Sequence, residues 1–285
     1  MDPLLAEALH SWDVDHAVIW ALPIIAIAYA RGFSRVHGQM PARFPIWRLM
    51  SFVGGLSVVF VALASPLDGL GELLLYLHMT QHMLLMIVAP PLLWLGQPFI
   101  PLLRALPPRP TKRALTPLLT SHVLRAAGRA LTHPMVCWSA LATTTIVWHL
   151  PRLYELGLHS EGWHEVQHAF FFTAALLFWW PVVRVWPSRD RWPRWTLIPY
   201  LVSADLINTA LSATLSFSSH VLYVTYESVP RVTALSPLDD QALAGVIMWV
   251  PGSIAFLLPA IVLTMQLFEP RSRTALMQSP SWMGQ

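Results

Sequence analysis

Seven long apolar runs constrain this chain more than any other feature of its sequence. A helical run near 20 residues matches the bilayer's hydrocarbon thickness of roughly 30 Å. Only 12% of the residues are charged, about half the share that a soluble domain carries. We therefore predict an all-α polytopic membrane bundle with seven transmembrane helices, forming a single transmembrane domain over residues 1–285. The predicted spans lie at about residues 17–33, 47–65, 70–95, 133–150, 163–186, 196–217 and 242–268.

Prolines and charge patterns indicate interruptions between these spans. Pro90-Pro91 predicts that the third helix bends or stops there, because proline lacks a backbone N–H. Residues 99–106 then resemble a short re-entrant or interfacial segment. Within residues 116–131, apolar side chains share one face while Arg125 and Arg129 lie on another, which is typical of an amphipathic surface helix.

The basic residues predict the orientation. All but two of the 18 lysine and arginine residues fall in the first, third and fifth connections or the C-terminal tail; the exceptions are Arg152 and Arg231. Because positive residues concentrate on the cytoplasmic side, the N-terminus is expected outside and the C-terminus inside. The basic pI of about 9.3 therefore reflects topology in a lipid bilayer and does not indicate nucleic-acid binding.

Histidines follow the opposite distribution, since nine of the 12 fall in the predicted outer half. Ionisable residues within a membrane are costly and usually functional. His78 and His82 are four residues apart, so they share one helix face and can chelate one ion. Met79 and Met83 form an adjacent stripe, and thioether beside imidazole favours Cu(I). The alternatives are hydrogen bonding for the histidines and simple packing for the methionines.

A second pair, His164 and His168, opens the fifth predicted span, and His149 closes the fourth on the same side. Two such pairs entering from one face resemble the metal ligand sets of helix bundles, and they point to a metal or a haem. From the predicted span starts, His78 lies about 12 Å deep, His82 about 18 Å and His168 about 8 Å. A shared site therefore requires the third helix to tilt or to start later. Simple hydration at the membrane edge remains the alternative for His164.

Other residues restrict the chemistry. Cys137 is the only cysteine, which excludes an intrachain disulfide or a thiolate cluster. Asp205 lies near the middle of the sixth span, where it could orient a ligand histidine or bond to Asn or Ser. Asp239-Asp240 precedes the last span, and acidic residues favour a helix start.

Three motif blocks in this order carry a family resemblance. Residues 65–72 (SPLDGLGE) lead to 78–82 (HMTQH), residues 148–154 (WHLPRLY) lead to 167–168 (QH), and residues 236–241 (SPLDDQ) lead to 248–252 (MWVPG). Together they resemble the CtaG family of multi-span cytochrome c oxidase assembly factors, those of caa3-type oxidases, over about residues 17–268.

The resemblance implies a non-enzymatic role in maturing a respiratory haem–copper oxidase, through copper delivery as Cu(I). The implied partners are an oxidase subunit or a copper chaperone, and the implied location is the bacterial cytoplasmic membrane. The implied site positions are His78, His82, His149 and His168, with Asp68, Asp240, Gln241 and Met248 in support and His164 extending the second pair. The alternatives are a haem-binding electron carrier with one axial histidine from each pair, a membrane metal-dependent oxidoreductase, and a copper or small-solute transporter.

Overall fold

The fold is described from a computed structural model that covers residues 9–10, 12, 17–107, 117, 120–186 and 192–268. Among these residues the regular structure is entirely helical, which confirms the all-α prediction. The helices are α1 (Ala17–Gln39), α2 (Ile46–Ala64), α3 (Leu67–Leu73), α4 (Leu75–Met83), α5 (Ala89–Leu95), α6 (Phe99–Ala105), α7 (His122–Leu131), α8 (Pro134–Trp148), α9 (Pro151–His159), α10 (Glu161–Val183), α11 (Leu197–Phe217), α12 (Thr225–Ser228) and α13 (Pro237–Phe268). A π-helical segment, Leu84–Val88, joins α4 to α5, and a 3₁₀ turn, Arg194–Thr196, precedes α11.

Four helices are long and apolar enough to cross a membrane, namely α1, α2, α10 and α13. A fifth span is present if the helix Leu75–Leu95 and α6, which meet at 64°, count as one broken crossing. Of the two other predicted spans, α8 has only 15 residues, and α11 has 21 but carries polar residues along its length. The chain is therefore a helical membrane protein whose described residues contain four or five spans by length and composition, and not clearly seven.

The third predicted span begins later than its apolar run. Residues up to Leu73 form the separate helix α3, and Leu74 is extended, with φ −136°. α4 begins at Leu75 because the carboxylate of Asp240 accepts hydrogen bonds from the N–H groups of Leu75 (3.1 Å) and Tyr76 (3.0 Å). The predicted start at residue 70 is thus wrong, since a side chain far along the chain sets the boundary.

Pro90-Pro91, where a bend or a stop was predicted, lies inside one helix that runs from Leu75 to Leu95. The backbone widens just before these prolines, where the N–H of Ala89 donates to the carbonyl of Leu84, five residues back. The carbonyl of Met86 has no helical donor, because residue 90 is proline. The indole Nε1 of Trp179 donates to that carbonyl instead, at 2.9 Å. The helix then continues to Leu95, and the sharp bend follows.

The predicted segment 99–106 is the helix α6, which packs closely on α1. A Cβ at Gly32 would lie 1.8 Å from the carbonyl oxygen of Pro101, so only glycine permits this approach. The guanidinium of Arg35 donates to the carbonyl of Arg104 at 2.6 Å. Two of the basic connections predicted to be cytoplasmic therefore meet at one end of the bundle.

The predicted amphipathic surface helix is confirmed over α7. Ser121 caps it by accepting from the N–H of Leu124 at 3.4 Å, and none of its residues is buried. Val123 and Leu131 are exposed apolar side chains. Residues 116, 118 and 119 of the predicted segment lie outside the described residues, as do Arg109, Lys112, Arg113, Arg189, Arg191, Arg271 and Arg273 of the predicted basic set.

Candidate metal centre

Helices α4 and α10 bring the two predicted histidine pairs together. Within the pairs, the ring centroids of His78 and His82 are 4.3 Å apart and those of His164 and His168 are 4.2 Å apart. Between the helices, His78 lies 5.1 Å from His164 and His82 lies 5.2 Å from His168. We call these four residues the imidazole cluster.

The two pairs lie at the same depth because each pair occupies the same positions, counted from the start of its helix. His78 and His82 are the fourth and eighth residues of α4, and His164 and His168 are the fourth and eighth residues of α10. The depth mismatch expected from the apolar runs is therefore absent, since α4 starts at Leu75. A later helix start was one of the two conditions that a shared site required.

Two tryptophan side chains form hydrogen bonds between α10 and the helix that runs from Leu75 to Leu95. Besides the bond from Trp179 to Met86, the Nε1 of Trp94 on α5 donates to the carbonyl of Leu176 at 2.8 Å. Both bonds satisfy an indole N–H that would otherwise be buried without a partner. They fix the position of α10 relative to α4 along the helix axes, and thus keep the two histidine pairs at the same depth.

The ligand atoms are close enough for one ion. One ring nitrogen from each of His78, His82 and His164 lies within 4.8 Å of the others. Asp68, His164 and His168 form a second group within the same limit. Nitrogen ligands sit at about 2.0–2.1 Å from a metal such as zinc, so small side-chain rotations would close either group around a single ion.

Unsatisfied ring nitrogens favour a ligand at the cluster. His78 is 1% exposed and His82 is 2% exposed. The Nε2 atoms of His78 and His164, and both ring nitrogens of His82, are buried without a hydrogen-bond partner. Each such atom costs about 1–3 kcal/mol, and a bound metal ion would satisfy several at once. The donor set, mostly imidazole with one nearby carboxylate, fits a borderline or soft cation.

Asp68 supplies the carboxylate beside the cluster. It accepts a hydrogen bond from Nε2 of Gln81, which also donates to the carbonyl of Ala62 at 2.8 Å. Gln81 thus ties α3, which carries Asp68, to α2 and α4. Gln81 was not among the predicted site residues. Its position between His78 and His82 on one helix could have indicated it.

His149 follows the last residue of α8 and is not among the two groups of ligand atoms within 4.8 Å of one another. Its Nδ1 is 2.7 Å from the carbonyl of Thr145. Because a carbonyl can only accept, the proton sits on Nδ1 and the lone pair is on Nε2. That Nε2 is buried and has no hydrogen-bond partner. The ring faces a small cavity that His82 also lines.

Asp240 and Gln241 stabilise the fold through hydrogen bonds from their side chains to backbone groups of other segments. Asp240 anchors the start of α4 and lies 3.5 Å from the guanidinium of Arg231. Gln241 accepts from the N–H of Leu222 at 2.7 Å and donates to the carbonyls of Leu215 and His220. These two residues therefore position the loop that follows α11, and α4.

Asp205 bonds to a serine, one of the two alternatives that its sequence position left open. Its carboxylate accepts from the hydroxyl of Ser253 at 2.7 Å, which joins α11 to α13. Nearby, Asn208 donates to the carbonyl of Met248 at 3.1 Å. Met79, Met83 and Met248 are buried in one apolar cluster with Tyr154, beside the ring of His78.

Comparison with known proteins gives the family. Residues 27–269 match the cytochrome c oxidase caa3 assembly factor family, Caa3_CtaG. Uncharacterized proteins of Mycobacterium bovis and Mycobacterium tuberculosis are each 26% identical over 280 residues, covering 96% of this chain and 42% of their own length. One from Mycobacterium leprae is 24% identical over 288 residues, with the same coverage. The chain thus spans less than half of these relatives, and no solved structure matches it. Because this family match covers most of the chain, the chain belongs to the Caa3_CtaG family of cytochrome c oxidase assembly factors.

Proposed function

We propose that this protein is a non-enzymatic assembly factor that binds Cu(I) at the imidazole cluster and delivers it to a haem–copper oxidase. The observation that carries the proposal is the convergence of two histidine pairs at one depth. Ring nitrogens of His78, His82 and His164 have no hydrogen-bond partner among the described residues. Family membership associates the chain with cytochrome c oxidase. The cluster supplies a reason why such a factor needs histidines inside a membrane.

The charge balance of the cluster favours a monovalent ion. Neutral imidazoles add no net charge, and Asp68 contributes at most one negative charge close to them. The cost of burying an ion rises with the square of its charge, so a singly charged cation beside one carboxylate is the cheaper occupant. Imidazole and thioether ligands also suit Cu(I), and the methionines of α4 lie next to the cluster.

The haem alternative is less well supported. The cross-helix ring pairs are already in van der Waals contact range, at 5.1 and 5.2 Å between centroids. The cavity beside His82 has a volume of about 30 Å³, whereas sites for organic ligands occupy about 300–1,000 Å³. A di-iron oxidoreductase would require more carboxylate ligands, such as the four of a di-iron bundle.

The proposed setting is the bacterial cytoplasmic membrane, in a seven-span arrangement with the N-terminus outside. Here α8 and α11 complete the bundle, although α8 is shorter than a typical span and α11 is more polar than one. α11 packs along α13 through Asp205–Ser253 and Asn208–Met248, so its polar residues face protein and not lipid. The cluster then opens toward the outer face, where an oxidase subunit or a copper chaperone would exchange the ion.

The decisive measurement is metal retention by the purified full-length protein. We expect the parent protein to hold Cu(I) against a competing chromophoric chelator. His78→Gln and His164→Gln should each weaken retention by at least about 10–100-fold, because this is the loss caused by removing a residue that only supports a ligand, and each variant removes a ligand itself. His122→Gln, on the surface helix α7, is the matched control and should bind as the parent does. If the His78 and His164 variants retain copper as tightly as the control, the cluster is not the binding site.

A further inference from the structure

A second group of potential ligands lines a cavity on the other side of His82. The cavity has a volume of about 30 Å³, about twice the space that one water molecule needs. His82 and His149 line it together with Met79, Met83, Met86 and Met248. We call this cavity the thioether chamber.

Four methionine side chains line the chamber, three from consecutive turns of one continuous helical segment and one from α13. Met79 and Met83 come from α4, Met86 from the π-helical segment and Met248 from α13. Met79, Met83 and Met248 are almost fully buried. Methionine is a flexible filler that packs tightly wherever space allows, so packing alone would be expected to close a cavity of this size.

The chamber also contains histidine nitrogens that packing does not explain. The Nε2 of His149 carries the lone pair, because its Nδ1 donates to Thr145. Neither ring nitrogen of His82 has a hydrogen-bond partner, and this side chain is 2% exposed. Two imidazoles and several thioethers around one small space form a set of neutral, soft ligands, which selects monovalent soft cations.

His82 belongs to both the chamber and the imidazole cluster. A neutral imidazole has one lone pair, so its ring ligates an ion on only one side at a time. Rotation of the ring would change the side on which it ligates, with no proton transfer. Because His82 and the chamber ligands are neutral, the move changes the charge of no ligand, and it takes the ion away from the carboxylate of Asp68.

We infer that the thioether chamber is a second, softer Cu(I) position, which exchanges its ion with the imidazole cluster through His82. His149 and the sulfurs of Met83 and Met248 complete the ligand set in the chamber. The inference rests on the proposed copper handling by the cluster. In addition, the chamber holds Cu(I) in reserve, and the ion returns to the imidazole cluster before delivery.

The test compares Ag(I), a redox-inert soft ion, with Zn(II), which prefers nitrogen and oxygen ligands. The protein is the full-length chain in detergent, and the variant is Met83→Leu/Met248→Leu, which conserves volume. We expect Ag(I) affinity to fall by about tenfold or more, equivalent to about 1.4 kcal/mol, while Zn(II) affinity changes by less than about twofold. The control, Met50→Leu/Met135→Leu, alters methionines that are 69% and 63% exposed and should behave as the parent does.

X-ray absorption of the Cu(I)-loaded parent protein gives an independent readout. Sulfur scatterers should be present, and they should diminish in the chamber variant but persist in the control. Purely nitrogen and oxygen coordination in the parent, or equal Ag(I) affinity in the two double variants, would overturn the inference. An equal loss of Ag(I) and Zn(II) in the chamber variant would do the same, since it would indicate collapsed packing.

The outcomes separate this inference from the proposed function. If the parent binds Cu(I) through His78 while the chamber variant is unchanged, the cluster stands and the chamber is refuted. If neither the parent nor any variant binds Cu(I), the proposed copper handling itself fails.

Discussion

Asp240→Asn tests whether one distant carboxylate sets the position of the histidine-bearing helix. Asp240 is fully buried, and its two oxygens accept from the N–H groups of Leu75 and Tyr76. Asparagine keeps one acceptor oxygen and replaces the other with an amide donor. One backbone N–H at the start of α4 then faces a donor and loses its bond.

The magnitude follows from these contacts. A hydrogen bond to a charged group contributes about 1.5–3 kcal/mol, and one such bond is lost. The ion pair with Arg231, whose side chain is 25% exposed, adds about 1 kcal/mol or less. We therefore expect the free energy of unfolding to fall by about 2–4 kcal/mol.

The assay is unfolding in mixed detergent micelles, followed by tryptophan fluorescence. Asp239→Asn is the matched control, because this neighbouring carboxylate is exposed and bonds only locally to Ser236 among the described contacts. It should cost less than about 0.5 kcal/mol. The Asp240 variant should also bind Cu(I) more weakly, since His78 lies one turn from the unfastened helix end. Equal unfolding free energies for the two variants would refute the reasoning.

Three further predictions concern topology, packing and physiology. Reporter fusions after Ser160 and Val229 should report the outside and a fusion after Arg113 the cytoplasm; a reversed signal at any of them would contradict the seven-span orientation. Gly32→Ala should destabilise the protein by about 1–3 kcal/mol, because its Cβ would meet a backbone carbonyl at 1.8 Å, whereas Gly38→Ala, with nothing within 4 Å, should not; thermal unfolding in detergent compares the two. Deleting the protein should lower oxidase activity while oxidase transcripts stay unchanged, and a fully active, copper-replete oxidase in that strain would argue against an assembly role.

The sequence was informative wherever local spacing determined the outcome. His78 with His82 and His164 with His168 were recognisable because a spacing of four residues places side chains on one helix face. The amphipathic helix α7 was recognisable for the same reason. Both inferences depend only on helical geometry, which the apolar runs already implied.

The sequence was uninformative wherever tertiary contacts set a boundary. The start of α4 depends on Asp240, 165 residues after Leu75. The leucines of residues 70–74 made the predicted third span begin too early, because nothing local marks this boundary. The backbone near Pro90 depends on Trp179, whose indole replaces a missing helical donor. The meeting of His149 and His82 at one cavity likewise follows from how α8 packs, which no spacing in the sequence encodes.

The equal register of the histidine pairs also links metal affinity to folding. The cluster draws its ligands from α4 and α10, which are separate in the chain, so it exists only when these helices are docked. A ligand that binds only the docked state stabilises it by RT ln(1 + [L]/Kd), about 2.7 kcal/mol at a free concentration 100 times Kd. By this mass action, copper supply would regulate how much correctly packed protein the membrane holds, and the abundance of the assembly factor would follow the availability of its cargo.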